Sequence, residues 1–230
     1  MTDAFLFDLN NFAIPERHLP YLDKVIIPDG FLKNRWARLA ERIIADNQGE
    51  EELHMVVMMN GGYRFYEDLR VELDKLVRVA KGPQPRIIPH FARVSSYKNT
   101  ESTGQLKGTH HLDSIEIAGK NILVVEDMID TGLTLKTIMA KIESYKPSKF
   151  KIAVAFHKKT QKNVEWGYFA DYTGFLVPQL FVIGYGMDYN GIFRDLPHLC
   201  KINPAGIEKF KAVEEATDTS PSKRHNSGKD

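Results

Sequence analysis

Residues 122–134 combine three carboxylates and two threonines in the pattern ILVVEDMIDTGLT. A short apolar run precedes the acids. Glu126, Asp127 and Asp130 are therefore expected at the carboxyl end of a buried strand, where open parallel sheets bind their ligands. Backbone amides and threonine hydroxyls at the start of the following helix suit a phosphate group, and Gly132 allows the backbone to approach it closely. This segment predicts a phosphate-binding turn beside acidic side chains.

These acids conflict with a bare phosphate as the ligand. Glu126, Asp127 and Asp130 lie within five residues, and unit charges ~4 Å apart interact by about 4 kcal/mol at a surface-like dielectric of about 20. The conflict disappears if Glu126 and Asp127 accept hydrogen bonds from sugar hydroxyls and a hard divalent cation lies nearby. We therefore expect a sugar phosphate with Mg²⁺. The alternative, that the acids only cap the next helix, is disfavoured because capping usually needs one acid.

The elements around this segment alternate between strands and helices. An apolar run at 53–59 ends at Asn60-Gly61-Gly62 and is followed by a helical pattern, and the acidic segment repeats this order. Further buried strands are expected at 151–156 and 180–184, and the polar residues 98–112 are expected to form a loop or a flexible hairpin. The alternation predicts an α/β fold with a mostly parallel central sheet flanked by helices. The sequence contains neither a Walker A motif nor GxGxxG, which argues against ordinary P-loop and dinucleotide sites.

Composition limits the possible domain organisation, partners and compartment. With 230 residues and 43% hydrophobic content, we expect one globular domain over residues 1–211 and a disordered tail at 212–230, where apolar residues are scarce. Basic and acidic residues number 31 and 30, so the near-neutral charge gives no support for a nucleic-acid partner. A single cysteine and the lack of any long apolar stretch favour a cytoplasmic protein with no membrane partner.

Further motifs accompany the acidic segment. The sequence VVEDMIDTGLT resembles the signature of type I phosphoribosyltransferases, and MNGGYRFYEDL, RVSSYKNTESTG, HKKT and FVIGYGMDYNGIFRDLPHLC follow the order found in hypoxanthine-guanine phosphoribosyltransferases over residues 26–210. The resemblance implies a small hood subdomain made from the N-terminal and C-terminal segments. It also implies a purine salvage enzyme that uses Mg²⁺ and joins hypoxanthine or guanine to 5-phosphoribosyl 1-pyrophosphate. The products are IMP or GMP and pyrophosphate, with xanthine as a third candidate base.

The resemblance assigns roles to individual positions. Asp130 matches the presumed general base near purine N7, and Arg194 matches the arginine that neutralises the leaving pyrophosphate, so both are expected to be catalytic. Glu126 and Asp127 match the acids beneath the ribose, and together with Asp188 they are the expected metal site. The expected substrate-binding residues are Asn60, Gly61, Ser96, Tyr97, Glu126, Asp127, Met128, Ile129, Asp130, Thr131, Gly132, Leu133, Thr134, Lys158, Leu180, Phe181, Val182, Asp188 and Arg194.

The base site and the mobile loop are also implied by the resemblance. Lys158 corresponds to the lysine that donates to the purine 6-oxo group, and Phe181 to the ring that stacks on the base. The backbone of Val182 and of Asp188 is expected to contact the exocyclic edge of the base. Ser96 and Tyr97 begin a loop that closes over the site and excludes water. In this family the bond before the Asn60-Gly61 loop is often cis, and the assembly is a homodimer or homotetramer.

Four positions depart from the family pattern. Asn60 stands where a lysine is usual, and Leu133, Ser95 and Lys162 also differ from the commonest residues. Loss of positive charge at position 60 removes one cation near the pyrophosphate site. These changes leave a second hypothesis open, a low-activity paralogue that binds purine nucleotides in a regulatory role. A third, a regulator that binds nucleic acid, would require a basic face that the composition does not indicate.

Overall fold

A computed structural model describes residues 7–93, 95–96, 106–107, 110–161 and 167–211. In chain order the elements are β1 Leu22–Ile27, α1 Asp29–Asp46, β2 Glu52–Met59, α2 Gly62–Val79, β3 Arg86–Arg93, β4 Ser95–Ser96, β5 Leu106–Lys107, α3 His110–Asp113, β6 Asn121–Ile129, α4 Leu133–Ser144, β7 Lys149–Lys158, β8 Tyr172–Val177, β9 Val182–Ile183, β10 Leu199–Ile202 and α5 Pro204–Lys211.

The main sheet has five parallel strands in the order β3-β2-β6-β7-β8. Side chains alternate in direction along a strand, and the central strands are buried on both faces because helices cover each face of the sheet. Val57 and Val125 pack on one face with α1 and α2, whereas Val56 and Val124 pack on the other with α4. This explains why both strands are continuous apolar runs, and it confirms the predicted α/β fold.

Helix α1 packs against the sheet through a stripe that the sequence predicted. Its five members are fully buried: Leu32, Trp36, Leu39, Ala40 and Ile43. The Trp36 ring lies 4.6 Å from the ring of Phe65, 5.7 Å from Phe175 and 5.8 Å from Tyr185. Gly174 permits this packing, since a Cβ there would lie 2.5 Å from the indole. Trp36 therefore joins both helices of this face to the segment that contains Tyr185.

A second, antiparallel sheet has the order β1-β10-β9 and draws strands from both ends of the described chain. We call this sheet, the residues before it and α5 the hood. The strand expected at 180–184 is only two residues long and lies in the hood, with Val182 paired to Lys201. The sequence showed a short buried apolar run there, but it carried no information on which sheet the run joins.

One region differs from the sequence-based expectation, and others lie outside the described residues. The loop expected through residue 112 ends earlier, because α3 begins at His110 and places the Leu112 side chain in the core beneath α4. The same helix is held by an ion pair of 2.7 Å between Asp113 and Lys141. Tyr97 and Lys162 lie outside the described residues, as does the segment 212–230, so the disordered tail and the domain boundary at residue 211 stay predictions.

Candidate active site

A cavity of about 490 Å³ opens where β2 and β6 end, at the carboxyl edge of the main sheet. Parallel sheets bind ligands at this edge. Residues from β2, β3, β6, the turn before α4 and the segment after β9 line it: Met58, Met59, Asn60, Gly61, Arg93, Glu126, Asp127, Met128, Ile129, Asp130, Thr131, Gly132, Thr134, Leu135, Asp188 and Arg194. The structure thus brings together the acidic segment, the glycine turn after β2 and the two charged residues near the C-terminus.

Glu126 and Asp127 form a coupled acid pair in the cavity wall. Desolvation raises the pKa of the Glu126 carboxyl well above its usual value, and the neighbouring Asp127 raises it further. The backbone amide of Asp127 donates to Glu126 Oε1 at 3.1 Å, and the amide of Met128 donates to Asp127 Oδ1 at 2.7 Å. Glu126 therefore retains a proton to higher pH than an ordinary glutamate, which weakens the repulsion that three bare carboxylates would impose on a phosphate.

Gly61 lies directly against the Asp127 carboxylate. A Cβ at Gly61 would lie 1.5 Å from Asp127 Oδ2, so any larger residue would displace the acid. The bond between Met59 and Asn60 is cis, as the resemblance implied. Asn60 is exposed at the cavity rim. The turn after β2 therefore presents its backbone to the cavity beside the acid pair.

The turn between β6 and α4 has the shape expected of a phosphate site. Gly132 has a φ of 79°, a left-handed conformation that favours glycine, and it is the residue before the helix begins. Thr131 and Thr134 both line the cavity, whereas the Leu133 side chain is 56% exposed to solvent. Amides at a helix N-terminus attract anions. The arrangement explains how leucine is accommodated at position 133, since its side chain points away from the cavity.

Asp130 and Lys158 meet across the ends of β6 and β7. Lys158 Nζ lies 3.0 Å from Asp130 Oδ2, and Lys158 is only 8% exposed. The Thr160 hydroxyl donates to the Asp130 backbone carbonyl at 3.2 Å. The pair combines a buried cation that donates hydrogen bonds with a carboxylate that can accept a proton. The two groups for which the resemblance implies contacts to the purine are therefore neighbours.

Arg194 and Asp188, from the segment after β9, also line the cavity. Arg194 Nη2 lies 2.5 Å from Asp188 Oδ1, and Arg194 Nη1 donates to the Gly186 carbonyl at 2.6 Å. The Gly191 amide donates to Asp188 Oδ2 at 2.6 Å, which fixes the carboxylate. The guanidinium is exposed on the cavity side and is planar, so it matches the geometry of a phosphate oxygen pair.

The carboxylate oxygens of this cavity suit Mg²⁺, a hard cation that prefers oxygen ligands. Within the described residues, no three His, Cys, Asp or Glu side chains lie close enough together to hold a metal ion by themselves. Mg²⁺ commonly takes one or two carboxylates and completes its shell with water and substrate phosphates. The residues therefore fit a magnesium ion that is bound jointly by the protein and a phosphorylated substrate.

Several expected site residues do not line the cavity among the described residues. Phe181 is 48% exposed and has its ring 5.3 Å from that of Tyr189. Leu180 packs partly against the main core, and the Val182 side chain is buried in that same core, although its backbone belongs to the hood sheet. The structure describes Ser96 only as a strand residue, in β4, and Tyr97 lies outside the described part. Sequence reasoning did not identify Arg93, which reaches the cavity because β3 ends beside β2.

This chain is similar in sequence to known proteins over most of its length. The family model described as "Phosphoribosyl transferase domain" matches residues 31–190. Hypoxanthine-guanine phosphoribosyltransferase of Bos taurus is 40% identical over 206 residues, which cover 90% of this chain and 93% of the bovine protein. The chain belongs to the hypoxanthine-guanine phosphoribosyltransferase family. The enzyme of that name from Homo sapiens is 38% identical with the same coverage.

A solved structure from the same family has a similar fold. The crystal structure of hypoxanthine-guanine phosphoribosyltransferase from Schistosoma mansoni in complex with IMP superposes with a TM-score of 0.70 at 30% identity. The match covers 89% of this chain and 93% of the Schistosoma chain.

Of the helices in the described ranges, none is both long enough and apolar enough to span a bilayer.

Proposed function

We propose that this protein transfers the phosphoribosyl group of 5-phosphoribosyl 1-pyrophosphate to hypoxanthine and guanine, forming IMP and GMP in purine salvage. Xanthine is a third candidate base. The observation that carries this proposal is that one cavity joins an acid pair, a phosphate-binding turn and Arg194, with the Asp130–Lys158 pair at its edge. The similarity to the hypoxanthine-guanine phosphoribosyltransferases of Bos taurus and Homo sapiens favours this enzyme over the low-activity regulatory paralogue.

The donor would bind through its phosphate and its ribose. Backbone amides and hydroxyls of residues 128–134 receive the 5′-phosphate at the start of α4, which positions the sugar. Glu126 and Asp127 then lie beneath the ribose, where their oxygens accept hydrogen bonds from its hydroxyls. As the bond to pyrophosphate breaks, positive charge develops on the sugar, and the Asp127 carboxylate stabilises it electrostatically. Before Mg²⁺ binds, the raised pKa of Glu126 limits the negative charge of the acid pair.

The base would be recognised by Lys158 and Asp130. Lys158 has three donors and no acceptor, so it favours a 6-oxo group over the amine of adenine. The purine loses a proton from N7 as its N9 forms the bond to the sugar, and Asp130 accepts that proton. Phe181 stacks on the ring, with Leu180 beside it, and the backbone of Val182 contacts the exocyclic edge.

Pyrophosphate would leave on the side of Arg194. Its guanidinium exchanges Asp188 for pyrophosphate oxygens, which releases the carboxylate towards the metal site formed with Glu126 and Asp127. Bound Mg²⁺ supplies further neutralisation of the leaving group. Arg93 and Asn60 both line the cavity. Arg93 therefore provides a positive charge near position 60, at which the family pattern has a lysine. Ser96 and Tyr97 would close the site against water.

We also propose a cytoplasmic homodimer or homotetramer. Its support is an exposed aromatic patch beside the Asn60 turn, in which Tyr63 and Phe91 are 40% and 49% exposed with their rings 6.3 Å apart. Exposed aromatic side chains are enriched at protein interfaces. Light scattering on Phe91→Arg tests the assembly, because a charge within a subunit contact should yield monomers. Unchanged mass would place the contact elsewhere.

Initial rates with hypoxanthine and guanine test the assignment of the base site. Lys158→Ala should raise the KM for both bases by about tenfold or more, since it removes a charged hydrogen bond. Asp130→Asn should lower kcat by about 10²-fold, within the range of general-base contributions. Lys159→Ala is the matched control, because it removes an exposed lysine at the next position. Equal effects of both lysine substitutions would contradict the proposed role of Lys158.

A further inference from the structure

His18 is a buried polar residue of the hood that contacts both neighbours of Arg194. It is 5% exposed, and its Nε2 lies 3.0 Å and 3.1 Å from the two carboxylate oxygens of Asp195. Its ring centroid also lies 5.0 Å from that of Phe193. One imidazole therefore contacts the residue before and the residue after the arginine, although 176 positions of sequence separate His18 from Arg194.

Asp195 is held as an ionised partner for this histidine. Desolvation tends to raise the pKa of its carboxyl, but hydrogen bonds from His18 and Arg17 outweigh that effect and the net pKa lies below the usual value. Arg17 forms an ion pair with the same carboxylate, and its side chain is 68% exposed. The two N-terminal residues therefore hold the segment after β9 through a charge-assisted contact.

Phe193 needs such support because of its backbone. Its φ of 78° lies in the left-handed region, which non-glycine residues adopt at a cost in free energy. Its side chain is nevertheless 1% exposed, packed in the hood against His18 and Phe210. The ring packing fixes the left-handed residue, and that conformation sets the direction in which the chain presents Arg194.

On its other side, the arginine is fixed by the segment that forms the cavity wall. The Gly186 amide donates to the Arg194 carbonyl at 3.2 Å, and the Tyr185 amide donates to the Leu196 carbonyl at 2.8 Å. Tyr185 is in turn anchored to α2 by a hydrogen bond of 2.6 Å from its hydroxyl to Asp68. The segment around Arg194 is thus held on two sides, by the hydrogen bonds from residues 185–186 and by the contacts that His18 makes with the flanking residues.

We propose that His18 is a positioning residue for Arg194, acting through Asp195 and Phe193 to hold the guanidinium where leaving pyrophosphate binds. The inference rests on the proposed function of Arg194. His18, Phe193 and Asp195 all lie outside residues 31–190, the range that matches the family domain. The N-terminal segment of the hood therefore sets the geometry of the pyrophosphate side.

Binding of magnesium pyrophosphate, measured by calorimetry, tests the inference without requiring turnover. His18→Leu removes the hydrogen bonds and keeps an apolar side chain against Phe193. It should weaken pyrophosphate binding and raise the donor KM by about tenfold, because displacements of an angstrom at such contacts have effects of this order or larger. His18→Gln should restore binding to within about threefold, since its amide nitrogen can donate to Asp195 near the Nε2 position. The purine KM should stay the same in both variants.

Two further variants separate positioning from folding. His198→Gln is the matched control, because His198 is another buried histidine of the hood, where its Nδ1 accepts from the Asp29 amide at 3.0 Å. It should leave pyrophosphate affinity unchanged even if the melting temperature falls. In an Arg194→Ala background, His18→Leu should have no further effect, since the residue it positions is absent. Asp195→Asn should reproduce the loss and replaces His18→Leu if that variant does not fold.

The outcomes distinguish this inference from the proposed function. Normal pyrophosphate affinity in both His18→Leu and Asp195→Asn, or an equal loss in the Arg194→Ala background, would overturn the positioning role while leaving the enzyme assignment intact. Normal pyrophosphate affinity in Arg194→Ala alone would overturn the role of Arg194 and the inference together. If the wild-type protein forms no nucleotide but the variant pattern holds, the positioning role stands and the proposed turnover fails.

Discussion

Replacing Gly61 with alanine is expected to displace the Asp127 carboxylate without straining the backbone. Gly61 has φ −65° and ψ −46°, which any residue adopts, so only the space around the new methyl group matters. The added Cβ would lie 1.5 Å from Asp127 Oδ2 and 2.5 Å from its Cγ, whereas real Cβ contacts essentially never fall below 3.0 Å. The oxygen must therefore move by at least 1.5 Å, the difference between 3.0 Å and 1.5 Å.

That movement has an energetic and a catalytic consequence. It strains the 2.7 Å hydrogen bond that the Met128 amide donates to the other carboxylate oxygen, Asp127 Oδ1, and complete loss of such a contact to a charged group costs about 1.5–3 kcal/mol. It also moves the acid from its proposed position beneath the ribose, and a displacement of about 1 Å at a reacting centre can lower the rate by about 10²-fold. We therefore expect kcat/KM for the donor to fall by about 10²-fold or more.

The assay is the initial rate of IMP formation as a function of donor concentration. Gly30→Ala is the control, since a Cβ at Gly30 near the start of α1 has nothing within 4 Å, and it should retain wild-type kinetics. If Gly61→Ala kept kcat/KM within about threefold of wild type, the account of Asp127 as a fixed ribose-binding acid would be refuted.

Three further predictions concern stability. Trp36→Ala should lower the free energy of unfolding by about 3–5 kcal/mol in urea titration, because it empties a fully buried site among aromatic rings. Hydrogen bonds from Arg86 and then His54 lower the pKa of Glu52 from 4.5 to about 2. Its carboxylate therefore stabilises the fold above pH 4.5, and Glu52→Gln should flatten the decline in melting temperature between pH 4.5 and 2. Burial raises the pKa of Cys200 to about 12, so a thiol reagent at pH 8 should label it only after unfolding.

Local sequence patterns predicted the parts of the fold that depend on residues close together in the sequence. The stripe through Trp36 follows from helical period, and the central strands follow from short apolar runs that end in glycine or acidic turns. The hood assignment of Val182 did not follow, because pairing with Lys201 depends on a contact between segments that the pattern does not connect. Helix α3 was missed because its helical pattern is only four residues long, with one buried side chain, Leu112.

The candidate site shows the same division. The acidic segment could be recognised because its residues are consecutive, and the left-handed Gly132 follows from its place before α4. Contacts between distant segments were unpredictable from spacing alone. Arg93 reaches the cavity only because β3 pairs with β2, and His18 meets Asp195 only because the hood joins the two ends of the described chain. Long-range neighbours of this kind are set by topology rather than by periodicity.

The most direct test of the central claim is product formation by the wild-type protein from hypoxanthine, guanine, xanthine and adenine, each with 5-phosphoribosyl 1-pyrophosphate and Mg²⁺. The account predicts IMP and GMP, each formed with one equivalent of pyrophosphate, and no AMP, because the Lys158 ammonium has donors and no acceptor and therefore favours an oxo group over an amine. Binding of the donor or GMP without formation of any nucleotide would contradict the claim and favour the nucleotide-binding paralogue.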